Sequence, residues 1–320
     1  MNLVVLAGGV GGGRFLLGVR AVAQAANTQV TAIVNTGDDV WLHGLRICPD
    51  LDSVLYTLGG GADPARGWGL RDETWTVLEE LAAYQAEPSW FGLGDRDLAA
   101  HLVRTGLLAR GLGLSDVTEF LCRRWRPGVR LLPASDDGIE THVVVAVEGR
   151  AGETRRLHFQ EWWIRHGARL PALRFDYVGA EEAAPAPGVP EAIAAADVVL
   201  IAPSNPVVSI GPILAVPGIR EALRRCPAPI IGISPIISGA PVRGMADRCL
   251  AALGVPCSAA GVGELLGARR NGGLLDGWLV DSADDPTTVR DVPVLARPLW
   301  MTDEAATQAI VVDALALAHG

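Results

Sequence analysis

The sequence predicts an α/β protein built on a mostly parallel sheet, and three observations carry that reading. The chain opens with an apolar run of strand length, Asn2-Leu3-Val4-Val5-Leu6-Ala7. Gly8-Gly9-Val10-Gly11-Gly12-Gly13-Arg14 follows at once, then a helical pattern from Phe15 to Val22. Further β-branched runs end in small polar residues at 35–39, 203–211 and 234–239, as the first run does at 8–13. Between residues 59 and 131 amphipathic helical patterns replace the strands. Strands alternating with helices imply parallel crossovers and a sheet covered on both faces. The expected architecture is therefore a Rossmann-like, three-layer, mostly parallel sheet with an inserted small helical lid domain. Residues 1–60 and 132–320 would form the core, and 61–131 the insertion.

The first strand, turn and helix make a site as well as a fold. A turn made almost wholly of glycine has no side chains to hold an anion away, and the helix start offers free N–H groups and the positive end of its dipole. A diphosphate is the natural guest. The strict dinucleotide fingerprint would place glycine where Arg14 stands, and a phosphate-binding lysine loop needs a lysine. All 27 basic residues are Arg. A ligand-free strand-to-helix turn is the alternative, but so many glycines carry a cost in chain entropy that packing alone does not readily explain. Arg14 would add a fork of donors to a phosphate.

The second strand, Gln29 to Val34, ends in Asn35-Thr36-Gly37-Asp38-Asp39. Ligands of open parallel sheets sit outside the carboxyl ends of strands, so this cluster emerges beside the glycine turn. Two adjacent carboxylates near a diphosphate suit a divalent cation between them; an Asp-rich turn is the plainer alternative. Pro49-Asp50-Leu51-Asp52 starts the next helical pattern, where Asp50 or Asp52 serves as an N-cap, or Asp50 faces the cleft beside Asp38 and Asp39.

In the 59–131 stretch, 74–84, 97–108 and 115–124 read as helices, interrupted by Trp90-Phe91-Gly92-Leu93-Gly94-Asp95-Arg96-Asp97. The aromatics here, Trp68, Trp75, Trp90 and Trp125, are either the insertion's own core or stacking surfaces for a flat ligand. From Arg130 the βα alternation is expected to resume, with strands over 141–147, 197–202, 230–233 and 278–281, continuing through 299–302 to a final Ala-rich helix. Residues 180–190 read as an exposed connector. None of the six histidines shows ligand spacing, and no Ser or Cys sits in a nucleophile elbow.

The bulk properties exclude several classes. A net charge of −9 argues against nucleic acid, whose binding rests on neutralising phosphates. Mean hydropathy is +0.28, yet no unbroken apolar stretch reaches the ~18 residues of a spanning helix. The amino terminus lacks a basic n-region, so a cytoplasmic protein without membrane association is expected. The five cysteines are scattered, as suits reduced thiols rather than disulfides or zinc.

Several ordered stretches together resemble one family. They are Ala7 to Gly12, Asn35 to Asp39, His43-Gly44-Leu45 with Ile47 to Asp52, Trp90-Phe91 with Leu93 to Asp97, Pro203-Ser204-Asn205-Pro206, and Ile233 to Ile237 with Gly239. The set is similar to the CofD/FbiA family, the 2-phospho-L-lactate (or phosphoenolpyruvate) transferases of coenzyme F420 biosynthesis. The resemblance implies two small-molecule substrates, a guanosine diphosphate ester of lactate or enolpyruvate and the deazaflavin Fo. The terminal ribityl hydroxyl of Fo would attack the phosphorus bearing the three-carbon acid and release GMP. It also implies Mg²⁺ and a homodimer. Gly8, Gly9, Gly11, Gly12 and Gly13 would hold the diphosphate, with Asn35 in the same binding set. Asp38, Asp39 and Asp50 are the expected metal-binding and catalytic group, Asp50 orienting the hydroxyl or taking its proton. Asp50 and Arg96 would contact Fo, and Ser204, Asn205 and Gly211 the nucleotide. The lid aromatics, Trp68 and Trp90 first, would flank the deazaflavin ring. The all-Arg composition fits an actinobacterial member, for which the enolpyruvyl donor is expected. The nearest rival is the YvcK-like group of regulatory nucleotide-sugar binders; a nicotinamide oxidoreductase is more distant.

Overall fold

The computed structural model describes residues 1–147, 149–150 and 152–320. Its main sheet has seven strands: β1 (Asn2–Ala7), β2 (Gln29–Val34), β3 (Arg130–Pro133), β4 (Val198–Ile201), β5 (Ile230–Ile233), β6 (Gly277–Val280) and β7 (Val294–Ala296). They lie in the order β7-β6-β5-β4-β1-β2-β3, and every pairing is parallel. The chain winds outward one way from β1, then crosses back to β4 and winds the other way. That reversal between β1 and β4 opens a crevice at their carboxyl ends.

Strand periodicity sorts the core. Leu3, Val5 and Ala7 face one apolar cluster and Val4 and Leu6 the other, because successive side chains of a strand point to opposite faces. All four residues of β4, of β5 and of β6 are buried, as expected of central parallel strands covered on both sides. One cover holds helices α1 (Gly9–Ala25), α2 (Pro49–Leu58) and the C-terminal helix Glu304–His319. Between α2 and β3 lie α3 (Thr76–Ala83), α4 (Asp95–Leu108) and α5 (Leu114–Trp125). The last of these packs Val117 and Leu121 into the same cluster as α1. Among the described residues no single helix is long and apolar enough to cross a membrane.

Four local expectations are corrected. The glycine run is not a long turn: α1 begins at Gly9, so only Gly8 links strand to helix, in extended backbone. Gly12 and Gly13 are then helix residues that let α1 approach Ala7, Ser204 and Thr57 closely. The strand at 141–147 does not continue the parallel alternation. Glu140–Ala146 pairs antiparallel with Thr154–His158 and Ala172–Val178 in a separate three-stranded sheet. Leu299 to Thr302 is not a strand, the edge being taken by β7. Residues 180–190 are only in part an exposed connector: Glu181, Glu182, Ala184, Pro187 and Pro190 are exposed, but Ala180, Ala183, Ala186 and Val189 are buried in the second cluster.

Helix α1 also crosses the C-terminal helix at Gly18, where an added Cβ would stand 2.6 Å from Thr307 Cγ2 and 2.8 Å from its carbonyl carbon. Gly18→Ala should therefore destabilise the fold by about 1–3 kcal/mol through overpacking. Thermal melting should show it, while activity at 25 °C stays near the parent's, because the contact lies two helical turns along α1 from Gly11 at the cavity. An unchanged melting temperature would contradict the packing.

Candidate active site

The crevice between β1 and β4 holds a cavity of about 450 Å³. The chain leaving β1 and the chain leaving β4 are tied together across it. Ser204 Oγ accepts from the Gly8 amide at 3.1 Å and donates to the Gly8 carbonyl at 2.8 Å. Gly9 has φ +63°, a left-handed conformation that favours glycine, and it turns the chain from the extended Gly8 into the helix. A Cβ on Gly8 would meet Asp50 Oδ2 and Ser209 Cβ, so bare backbone is required where α2 faces the turn.

Beside this turn lies a buried polar cluster. The Asn35 amide nitrogen donates to Asp38 Oδ1 at 2.7 Å and Asp50 Oδ2 at 2.9 Å, and Gln160 donates to Asp38 Oδ2 at 3.0 Å. Asn35 is itself oriented by the Gly37 amide, which donates to its Oδ1 at 2.8 Å. Two carboxylates are thereby held together out of water. Burial raises the Asp38 carboxyl well above its ordinary range, and the neighbouring Asp50 and Asp39 charges add to the shift. Burial likewise pushes Asp50 up to about 7, although the Asn35 hydrogen bond opposes it. Two such acids with no cationic side chain hydrogen-bonded between them suit a divalent cation.

Asp39 points elsewhere. It is fully buried against Arg46, whose Nη2 lies 3.2 Å away, and it does not line the cavity. Burial raises its carboxyl to about 6, with Arg46 opposing. The hairpin Val40–Leu42 with Leu45–Ile47 places Arg46 there.

The structure brings Gly8, Gly9, Gly11, Asp38, Asp50, Ser204 and Asn205 around one cavity, with Asn35 immediately behind. Other expected site residues stand apart. Gly12 and Gly13 are helix packing positions. Gly211 packs against the Tyr177 hydroxyl outside the cavity. Arg96 is exposed, and its guanidinium is held by the Arg71 carbonyl. Asn205 lines the wall but turns its Oδ1 back onto the amides of Val207 and Val208, at 2.9 and 3.3 Å. Trp68 lines the cavity; Trp90 stacks edge-on against Phe91 instead.

Several wall residues are not evident from sequence. Asp52 and Tyr56 of α2 meet Asp97, His101 and Arg104 of α4. Tyr56 donates to Asp97 Oδ1 at 2.6 Å, and Arg104 grips both oxygens of Asp52, Nη1 at 3.1 Å from Oδ2. Burial would raise the Asp97 carboxyl, but His101, Tyr56 and Arg104 together hold it below its usual range. Ligand atoms of Asp52, Asp97 and His101 lie within 4.8 Å of one another, a set able to hold a metal. Arg104 already supplies the positive charge there. The i, i+4 spacing of Asp97 and His101 on one helix was the available signal. Gln160 and Trp163 enter from the segment that joins Thr154–His158 to Ala172–Val178 within the antiparallel sheet, and Arg243 also lines the cavity.

A parallel sheet with its crevice at the β1–β4 reversal, a bare-backbone turn and paired buried acids define a ligand-binding α/β enzyme of the phosphate-handling kind. The model of the family described as 2-phospho-L-lactate transferase CofD matches residues 3–309. The chain belongs to that family and is a transferase. It is 58% identical over 325 residues to the phosphoenolpyruvate transferase of Mycolicibacterium smegmatis, covering 99% of each chain. It is 59% identical over 317 residues to the phosphoenolpyruvate transferase of Nocardia farcinica, covering 99% of this chain and 95% of that one. Among solved structures, a UPF0052-family protein from Bacillus halodurans superposes with a TM-score of 0.60 at 21% identity, covering 98% of this chain and 99% of that one. This last likeness concerns the fold alone.

Proposed function

We propose that the enzyme moves a phosphoenolpyruvyl group from its guanosine diphosphate ester to the terminal ribityl hydroxyl of the deazaflavin Fo, in coenzyme F420 biosynthesis. The names of the relatives at 58% and 59% identity favour the enolpyruvyl over the 2-phospho-L-lactyl donor. The observation that carries the reading is the buried Asp38–Asp50 pair beside the bare Gly8–Gly9 turn, in a cavity large enough for both substrates' reacting ends.

In the step itself, the ribityl oxygen bonds to the phosphorus that carries the acid. The bond from that phosphorus to the bridging oxygen breaks, and GMP leaves with it. The hydroxyl proton passes to a base. Asp50, on the cavity wall beside the Gly8–Gly9 turn, orients that hydroxyl and accepts the proton. The amides at the start of α1, up to Gly11, hold the diphosphate, and Ser204, hydrogen-bonded to the Gly8 amide, keeps the entry to the helix in register. Mg²⁺ fits the oxygen donors of Asp38 and Asp50 and would neutralise charge on the transferring phosphoryl group when bound. Asp39, spent on Arg46, is left out of that donor set. The 61–131 segment acts as the lid, with Trp68 against the deazaflavin, and the enzyme works in the cytoplasm as a homodimer.

Mass measurement of the product formed from Fo with each candidate donor tests the reaction. An enolpyruvyl phosphodiester is expected; no product with either donor would refute the assignment. Treatment with EDTA should stop turnover, and added Mg²⁺ should restore it; a rate indifferent to chelation would exclude the cation.

A further inference from the structure

Two arginines face this cavity without a partner of opposite charge. Arg14 projects from α1 just past the glycine turn, and Arg243 comes from the segment leading into the helix Ala246–Ala252. Among the described residues neither makes a salt bridge. They are close enough that the Arg14 charge, after burial, helps to hold the Arg243 guanidinium below its usual range. Both side chains are exposed, so water screens their mutual repulsion, and with no carboxylate among the described residues engaging either one they are free to take an anion at the cavity mouth. Arg243 has one further engagement. Its Nη2 donates to the Gly67 carbonyl at 3.1 Å, in the loop that carries Trp68 into the cavity. Nothing else about Arg243 is committed to the core fold.

We propose that Arg14 and Arg243 form a two-arginine clamp on an anionic group of the diphosphate-ester donor, and that Arg243, by holding Gly67, fastens the 63–70 loop over the cavity when that anion is bound. The inference rests on the proposed transferase reading. Guanidinium forks match the oxygen geometry of phosphate and carboxylate alike. The anion is therefore either the diphosphate, which Arg14 adjoins, or the carboxylate of the three-carbon acid.

GDP, which carries the diphosphate without the acid, and the complete ester separate these sources. Calorimetric titration should show Arg14→Met and Arg243→Met each weakening the complete ester by about 10- to 100-fold, the range of a hydrogen bond to a charged group. If GDP is weakened equally, the clamp grips the diphosphate; if GDP binding is unchanged, it grips the acid's carboxylate. Either result supports the clamp. Unchanged binding of both compounds by both variants, with the parent binding normally, would overturn it. A parent that binds neither compound would instead refute the transferase reading.

The latch has its own measurement. Arg66 lies within the loop and Arg71 just beyond it, both are trypsin sites, and saturating ester should protect Arg66 in the parent. Protection should persist in Arg14→Met at saturation and disappear in Arg243→Met. Equal protection in all three proteins would remove the latch. Thermal midpoints without ligand should stay close to the parent's, which a merely structural arginine would not allow.

Discussion

Asp50→Asn should lower kcat/KM about 10²- to 10⁴-fold, the range for loss of a positioned base. The protein should nevertheless fold, because the Asn carbonyl oxygen can still accept from Asn35, whose donor lies 2.9 Å away. Stability against pH supplies a second readout, taken in chelator so that no cation intervenes. Burial moves the Asp50 carboxyl from 3.8 in the unfolded chain to about 7 in the folded one. Between those values the folded state binds more protons, so its stability falls as pH rises through the window. The Asn variant lacks that titration. It should match the parent poorly at acid pH and gain on it steadily up to pH 7. Near-parental turnover would remove Asp50 from the chemistry. Parallel pH–stability curves would show that its carboxyl is not the buried acid described.

Arg104→Met should cost about 3–5 kcal/mol of folding stability, because it strands a buried carboxylate. Arg104 is 1% exposed, and its only ionic partner at hydrogen-bond distance among the described residues is Asp52, itself 5% exposed. Together with the Tyr56–Asp97 hydrogen bond, it ties α2, which carries Asp50, to α4. Urea unfolding measures the loss. Adding Asp52→Asn should recover much of it, since an uncharged Asn no longer needs a cation, although the cavity wall then loses its charge. A single variant as stable as the parent, or a double variant no better than the single, would show that the pair does not hold the helices together.

The parts of this site that can be read along the chain are those coded by local chemistry. A strand followed by glycine and a helix must present backbone amides. The run Asn35 to Asp39 after β2 must emerge at the same sheet edge as Gly8, because parallel strands share a direction. The meeting of Asp50 with Asp38 is already less local: it needs α2 to bring its first residues against the Gly8 turn, whereas composition alone favours a plain N-cap, a position that Cys48 takes instead. Asp38 and Asp39 look interchangeable in sequence. Only the fold separates them, by sending adjacent side chains in different directions and placing Arg46 against one of them.

Distance along the chain explains the rest. Arg104 meets Asp52 across 52 residues, Gln160 meets Asp38 across 122, and Arg243 meets Gly67 across 176. No periodicity or motif encodes such pairings, because they exist only after apolar packing has fixed how the layers stack. Arg96 shows the converse: a charged residue inside a family-like motif whose side chain the local backbone turns outward to the Arg71 carbonyl. Fold class, the anion-ready turn and the acidic strand end thus follow from residue order alone, since short-range sterics and hydrogen bonding suffice for them. Which acids pair, which are neutralised and which arginines stay free was decided by long-range packing, whose result no short stretch of residues contains.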